Sequence, residues 1–464
     1  MTDNPHQPPA RRSAGAKLRA LLVSHPDVKI ALFNVNWIVL DKLVAAILGL
    51  LIGVWVARYL GPERFGVISY VLALSALLSP IALLGLNSVV VRNIVTHPDS
   101  ADTVLGTAFV CKLVGSVVLV AASVFLVDFL STDTAVSKGD HPLVLFILVL
   151  GVGTVFRSFD VILYFFQSQV QGKYFAMSNI FSNTACSLSR VALILAQASL
   201  LPFVVVLSVN NVLIASSLVF FYQVRKACSI FRWRFDFSTA KSLMKDAWPL
   251  ALSFAAAVIY LKIDQIMIGN MIGNKELGIY SAAVRLTEVW NFVPLAIMES
   301  IFPAIIKLRS KDRGTYLRRI QVVCDVFVWT TLGIGALFAV FSDDVISILY
   351  GAKYAGAGAI LSIYIWSAVF VFLNAASGYC LIAENYMLIG LFRTVTGAAV
   401  NVVLNLVFIP RWGIAGSAYA TLIAYAWTST VSLLVFRRTR VYAIMQLKSA
   451  NVFRIFLQVK RLVS

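Results

Sequence analysis

Residues 57–69 read A-R-Y-L-G-P-E-R-F-G-V-I-S, and residues 269–281 read G-N-M-I-G-N-K-E-L-G-I-Y-S. Set 212 positions apart, Gly61 falls on Gly273, Gly66 on Gly278 and Ser69 on Ser281. Each stretch joins the first two apolar runs of its half of the chain. Working outward, apolar runs bounded by Gly, Pro or charge fall at 34–57, 66–91, 104–127, 142–164, 177–199, 202–224, 247–269, 280–306, 320–341, 355–382, 387–409 and 414–436. Each is long enough to cross a hydrocarbon layer of about 30 Å as a helix. Six spans per half is an even number, so the halves share one orientation and the repeat is parallel. The expected fold is all-α: a polytopic membrane protein of about 12 transmembrane helices in two parallel-repeat six-helix lobes.

Composition supports this class. Of 464 residues, 60% are hydrophobic and 13% charged, with a mean hydropathy of +0.86. A soluble chain carries about 25% charged residues and cannot hide so much apolar surface. The net charge of +18 would suggest nucleic acid on a soluble chain, but here it follows the positive-inside pattern. With the N-terminus inside, cytoplasmic segments carry 26 Lys and Arg and the opposite side carries 6. Both termini are therefore expected in the cytoplasm, and no nucleic-acid partner is implied. The chain divides into a basic cytoplasmic tail (1–33), an N-lobe (34–224), a basic cytoplasmic linker (225–246), a C-lobe (247–436) and an amphipathic basic tail (437–464). The last tail is expected to lie on the anionic inner leaflet. The first 30 residues lack a signal-peptide cleavage pattern, so the first span is expected to be retained.

Several chemistries are excluded. The five cysteines are scattered singly, and the four histidines lie in the tail or loops, so neither a disulfide framework nor a metal site is indicated. No nucleotide-binding P-loop occurs, and no cofactor is implied. The longest external loop, about 128–141, is too short for a catalytic domain, so an enzyme is not expected.

The remaining signal is ionisable residues at membrane depth, which are costly there and usually face protein or a watery cavity. Seven cations and six anions lie within the spans. Arg157 and Asp160 are i,i+3 and can neutralise each other, as can Arg285 and Glu288. Glu299 and Asp325 lie toward cytoplasmic ends. Spans 7 and 8 form a hairpin centred near Lys275. Asp264 and Arg285 lie at one depth in it, and Lys262 and Glu288 at another, so a cross-helix ion network is plausible. Lys262 and Asp264 are about 200° apart on their helix, so one of them should face elsewhere. Asp41, Lys42, Arg157 and Asp160 form an inner tier in the N-lobe; Lys262, Asp264, Arg285 and Glu288 form an outer tier in the C-lobe. A polar path between lobes would look like this, as would a pair of structural ion networks. Parallel repeats of this kind occur in transporters with a central pathway.

The motifs at 55–66 (W-V-A-R-Y-L-G-P-E-R-F-G), 84–92 (L-G-L-N-S-V-V-V-R), 36–43 (N-W-I-V-L-D-K-L), 157–167 (R-S-F-D-V-I-L-Y-F-F-Q), 262–269 (K-I-D-Q-I-M-I-G) and 278–290 (G-I-Y-S-A-A-V-R-L-T-E-V-W) carry a family resemblance. The chain resembles bacterial oligosaccharide flippases, the Wzx-type polysaccharide transporters of the multidrug/oligosaccharidyl-lipid/polysaccharide exporter superfamily, over residues 34–436. The resemblance implies two six-helix lobes in a V that open alternately to either side of the bacterial inner membrane. It implies an undecaprenyl-pyrophosphate-linked oligosaccharide as cargo for O-antigen, capsule or exopolysaccharide synthesis. A polysaccharide polymerase and assembly proteins are implied as partners.

On that footing, Lys42, Arg157, Lys262 and Arg285 are the candidate headgroup contacts, because cations lower the barrier for a pyrophosphate in a low dielectric. Asp41, Asp160, Asp264 and Glu288 would set charge states or carry a coupling ion. Arg58, Lys112, Arg190 and Arg393 are secondary candidates. The alternative is an ion-coupled multidrug exporter of the same superfamily, which would need a net acidic cavity.

Overall fold

The computed structural model describes residues 26–131, 143–224 and 229–451. The N-terminal tail through residue 25, most of the 128–141 loop and the end of the C-terminal tail lie outside the described residues. Helices dominate, and no strand occurs among the described residues.

The N-lobe comprises α1 (Pro26–Leu83), α2 (Leu86–Thr96), α3 (Ala101–Ser131), α4 (Leu143–Val155), α5 (Val161–Ser168), α6 (Lys173–Leu195) and α7 (Leu200–Val224). The C-lobe comprises α8 (Phe237–Met271), α9 (Asn274–Glu288), α10 (Phe292–Lys311), α11 (Arg313–Val340), α12 (Ser342–Leu349), α13 (Ala357–Tyr364), α14 (Ser367–Ala383), α15 (Met387–Ala426), α16 (Ser432–Val435) and α17 (Arg440–Ser449).

As one rod, α1 would run about 87 Å, nearly three times the hydrocarbon thickness. It turns instead at Gly61, whose φ of 74° suits glycine, followed by the helix breaker Pro62. Gly49 and Leu50 before the turn line the same cavity as Phe65, Ser69 and Ala73 after it, so α1 is a helical hairpin. Gly413, with φ 57°, turns α15 in the same way, bringing Gly416 against the Phe408 carbonyl. Among the described residues, eight helical stretches are long and apolar enough to cross a membrane. The two with glycine turns, Leu40–Thr96 and Met387–Val435, are each long enough to cross twice.

The buried apolar residues show how the lobes meet. One core draws on both lobes: Ala57, Val67 and Val71 pack in one cluster with Ile268, Leu277 and Ala283. Two other cores lie apart from it, the first of them also taking in Leu243 and Ala247 from the start of α8. One joins Leu86, Leu105, Val161 and Leu218 in the N-lobe, and the other joins Met298, Ile320, Phe327 and Phe372 in the C-lobe. The shared core surrounds the turns at Gly61 and Gly273. The separate cores lie toward the segment that connects the lobes. The lobes thus pack on each other around the two glycine turns, and at the other end the start of the first C-lobe helix also rests on the N-lobe, with Gly85 against the Ala247 carbonyl.

Two segments differ from expectation. Residues 237–246 are not a free linker but the start of α8, capped by the Asp236 carboxylate, which accepts from the Thr239 amide at 2.6 Å. Leu243 and Ala247 join the N-lobe core, Arg92 pairs with Asp246, and the Asp236 amide donates to Thr107 Oγ1 at 3.1 Å. The amphipathic pattern of residues 440–449 suits a leaflet surface, yet α17 packs into the C-lobe. Tyr442, Ala443, Gln446 and Ser449 are buried; Tyr442 donates to Glu384 at 3.1 Å, and Gln321 donates to the Met445 carbonyl at 2.9 Å. Buried polar side chains in the bundle give this helix partners that a leaflet cannot offer.

Candidate functional site

The joined end is sealed by close backbone contact. Gly66 presses against the Asn274 carbonyl, and Gly278 against the Pro62 carbonyl, so neither site has room for a Cβ. Around them Tyr70 donates to Asn270 Oδ1 at 2.8 Å, Tyr354 to the Ala57 carbonyl at 2.6 Å and Arg58 to the Ile348 carbonyl at 3.5 Å. Arg58 is therefore part of the seal.

Below the seal lies a cavity of about 550 Å³ between the lobes. The α1 hairpin supplies Lys42, Gly49, Phe65 and Ser69; α8 supplies Lys262 and Gln265; α9 supplies Ser281, Arg285 and Glu288. Ser69 and Ser281, matched by the repeat, both face it. The lining holds three cations and one carboxylate.

Each cation is held differently. Lys42 Nζ lies 3.4 Å from Glu299 Oε2 across the lobes, with side-chain exposures of 33% and 51%. Lys262 Nζ lies 2.9 Å from Glu288 Oε1, the pair that the hairpin depth had placed level. Arg285 meets no carboxylate among the described residues. Its Nη2 donates to the Gly49 carbonyl at 2.8 Å, and its guanidinium lies where a Cβ on Gly53 would be. Gly49 and Gly53, one helical turn apart, open a small-residue face through which a C-lobe arginine reaches N-lobe backbone. Sequence reasoning missed these two residues; the G-x-x-x-G spacing was the available signal.

Of the inner tier, only Lys42 reaches the main cavity. Asp41 turns away and accepts from Asn179 Nδ2 at 3.1 Å. Arg157, expected at the headgroup, sits within the N-lobe on a single 3₁₀ stretch with Asp160, whose Oδ2 lies 3.5 Å away. The same oxygen takes Lys112 Nζ at 3.4 Å, with the lysine side chain 1% exposed, and Lys112 also donates to Tyr164 at 3.3 Å. Lys112, Arg157 and Asp160 are thus an internal ion cluster.

Asp264 is the residue that faces elsewhere on α8. It is buried, accepting from Tyr280 at 2.5 Å and from the Gln265 amide at 2.8 Å, so it does not pair with Arg285. Tyr280 meets Tyr364 edge-on. Arg393 is buried in the C-lobe, donating to the Thr428 carbonyl at 2.8 Å, Asn374 Oδ1 at 2.7 Å and Ser377 at 3.0 Å. Thr428 lies in a π-helical turn (Trp427–Val431), where the widened register leaves carbonyls free for an outside donor. Arg190 shares a smaller cavity of about 130 Å³ with Arg285.

Comparison with solved structures identifies the fold. The chain superposes on an inward-facing multidrug resistance MATE family transporter of the MOP superfamily, with a TM-score of 0.72 at 14% identity, over 88% of this chain and 96% of that one. It superposes on the lipid II flippase MurJ in an inward closed conformation, with a TM-score of 0.67 at 15% identity, over 93% of each chain. Among sequence relatives, a probable low-salt glycan biosynthesis flippase, Agl15, of Haloferax volcanii is 26% identical over 41% of this chain and 41% of its own length. A second probable flippase of that organism, AglR, is 29% identical over 38% of this chain. The chain thus spans about two fifths of the length of these two relatives. A putative O-antigen transporter of Shigella flexneri is 23% identical over 65% of this chain and 72% of its length. Residues 31–309 match the model of a polysaccharide biosynthesis protein family, and with more than half its length so matched the chain belongs to that family of multi-pass membrane proteins.

Proposed function

We propose that this chain is a flippase that carries an undecaprenyl-pyrophosphate-linked oligosaccharide from the cytoplasmic to the periplasmic leaflet of a bacterial inner membrane by alternating access. The supporting observation is the sign of the interlobe cavity. Lys42, Lys262 and Arg285 face it with Glu288; with Lys42 paired to Glu299 and Lys262 to Glu288, the excess positive charge is that of Arg285. A diphosphate diester is a dianion that this excess suits. Taking an ion out of water costs several kcal/mol, and a cation 4 Å away returns about 4 kcal/mol at an effective dielectric of about 20. More than one cation is therefore needed, and Arg285, held only by a backbone carbonyl, is the one most readily given to a ligand.

The end of the cavity marked by Lys42, away from the glycine turns, lies toward the side of residues 229–246 and 307–319, which carry much of the Lys and Arg. By the positive-inside rule that side is cytoplasmic, so the cavity opens where lipid-linked sugars are built. The isoprenoid tail stays in lipid between the lobes while the headgroup crosses. The work is binding and conformational exchange, without covalent chemistry. A multidrug exporter on the same fold would need an acidic cavity for cationic drugs, and the lining charges oppose that reading.

The test is mass spectrometry of lipids from cells lacking the gene. Build-up of a lipid-linked oligosaccharide is expected; normal glycolipid levels together with drug accumulation would overturn the reading.

A further inference from the structure

Arg190 is an arginine at membrane depth that makes no hydrogen bond or ion pair among the described residues. It lies on α6 in the N-lobe and shares its cavity with Arg285 of the C-lobe. The rest of that lining is Gly53 and apolar side chains, among them Phe65 and Phe203, with no carboxylate. Two guanidinium groups thus face one small space, and nothing there neutralises either. Charge at this depth is costly and usually serves a ligand, a path or a partner. A scaffold arginine would show the bonds that Arg393 shows, and Arg190 shows none.

The position of this space gives it a place in the path. Its walls include Gly53 and Val56, which lie 8 and 5 residues from the turn at Gly61. On that same arm of α1 the main cavity draws on Lys42 and Gly49, 19 and 12 residues from the turn, while Phe65 and Leu72 on the returning arm line both spaces. The Arg190 space is therefore nearer the sealed end. Arg285 lines both spaces, and the missing Cβ at Gly53 gives its guanidinium room between them. At about 130 Å³ the inner space suits a phosphate group and not an oligosaccharide.

We propose that Arg190 and Arg285 form a second anion station on the sealed side of the main cavity, and that a diphosphate passes to it by way of Arg285 as the lobes exchange faces. This rests on the main cavity being the headgroup site. Lys42 and Lys262 receive the anion from the open side, Arg285 contacts it throughout, and Arg190 receives it as the seal opens. An anion between Arg190 and Arg285 also touches both lobes, so its arrival removes their mutual repulsion at the point where the lobes rearrange.

The test uses the full chain in proteoliposomes, with a fluorescent farnesyl-diphosphate-linked disaccharide as probe. Arg190→Gln is expected to lower the saturated translocation rate about tenfold with little change in half-saturation, because the loss falls on a step after binding. Arg285→Gln is expected to impair both, and Arg190→Lys to recover most of the rate. If the glutamine variant fails to reach the membrane, Arg190→Met takes its place. A wild-type rate for Arg190→Gln alongside a defective Arg285→Gln would overturn the second station and leave the main-cavity reading standing. Wild-type rates for both would overturn both. A rise in half-saturation for Arg190→Gln equal to that for Arg285→Gln would reduce the two stations to one site and overturn the proposal.

Discussion

Gly66 and Gly278 occupy equivalent places in the two lobes and make reciprocal contacts. Gly66 rests on the carbonyl of Asn274, Gly278 on the carbonyl of Pro62, and both glycines and both carbonyl residues are related by the same offset of 212. A self-complementary contact of this kind closes only when both halves present the same small surface, as in a two-fold interface. It is therefore a discrete seal, either made or broken, suited to a molecule with two states.

Gly66→Ala or Gly278→Ala should break the seal. The obstructing atoms are backbone and cannot move aside as a side chain can, and overpacking of this kind costs about 1–3 kcal/mol. That shifts a two-state balance by roughly fivefold to 150-fold. Spin labels at Arg64 and Lys275, both exposed at the sealed end, should show a longer distance population in either variant. An unchanged distribution would mean the contact does not hold the state.

Gly53 and Gly49 form a matched pair for testing Arg285. A Cβ at Gly53 would displace the guanidinium, whereas one at Gly49 meets nothing within 4 Å. Gly53→Ala should lower translocation by about tenfold, and Gly49→Ala should leave it near wild type. Equal activities would show that the seated position of Arg285 is unimportant.

The Lys42–Glu299 pair at the mouth of the cavity is half exposed and contributes little to stability. Its weight lies in competition for Lys42. Glu299→Gln should tighten binding of farnesyl diphosphate, by up to about fivefold, and Lys42→Gln should weaken it. Calorimetry on the purified protein gives both signs. Weaker binding on removal of Glu299 would assign that carboxylate a direct role in holding the ligand.

The Lys112–Asp160–Arg157 cluster carries a stability prediction. Asp160→Asn leaves two cations without their shared carboxylate, and breaking a buried pair costs about 3–5 kcal/mol. The variant should melt earlier, and adding Lys112→Met should recover part of the loss. Arg157→Gln, removing a partly exposed arm of the cluster, should translocate within about twofold of wild type. A transport-dead Arg157→Gln with normal melting would return that residue to the path.

Much of the architecture was legible in the chain itself. Twelve apolar runs and the glycine-centred repeat implied two like-oriented lobes, because crossing a bilayer leaves a helix little choice of length. Depth arithmetic placed Lys262 level with Glu288, and these two do pair. Orientation around the helix was harder to read. Nothing local to Arg157 shows that Lys112, 45 positions earlier, comes to its carboxylate partner. Arg285 was matched in depth to Asp264, but the aspartate found Tyr280 and the arginine found a carbonyl of the other lobe. Residues 440–449 had the pattern of a surface helix, and only the bundle reveals that Gln321 and Glu384 wait for them. Each of these outcomes depends on a partner far along the chain.

The most direct test of the central claim is the leaflet distribution of the lipid-linked oligosaccharide in cells carrying Arg285→Glu at wild-type protein level. If the cationic cavity carries the headgroup, the glycolipid accumulates in the cytoplasmic leaflet and surface polysaccharide is lost. Normal delivery to the outer leaflet by that variant would contradict the account.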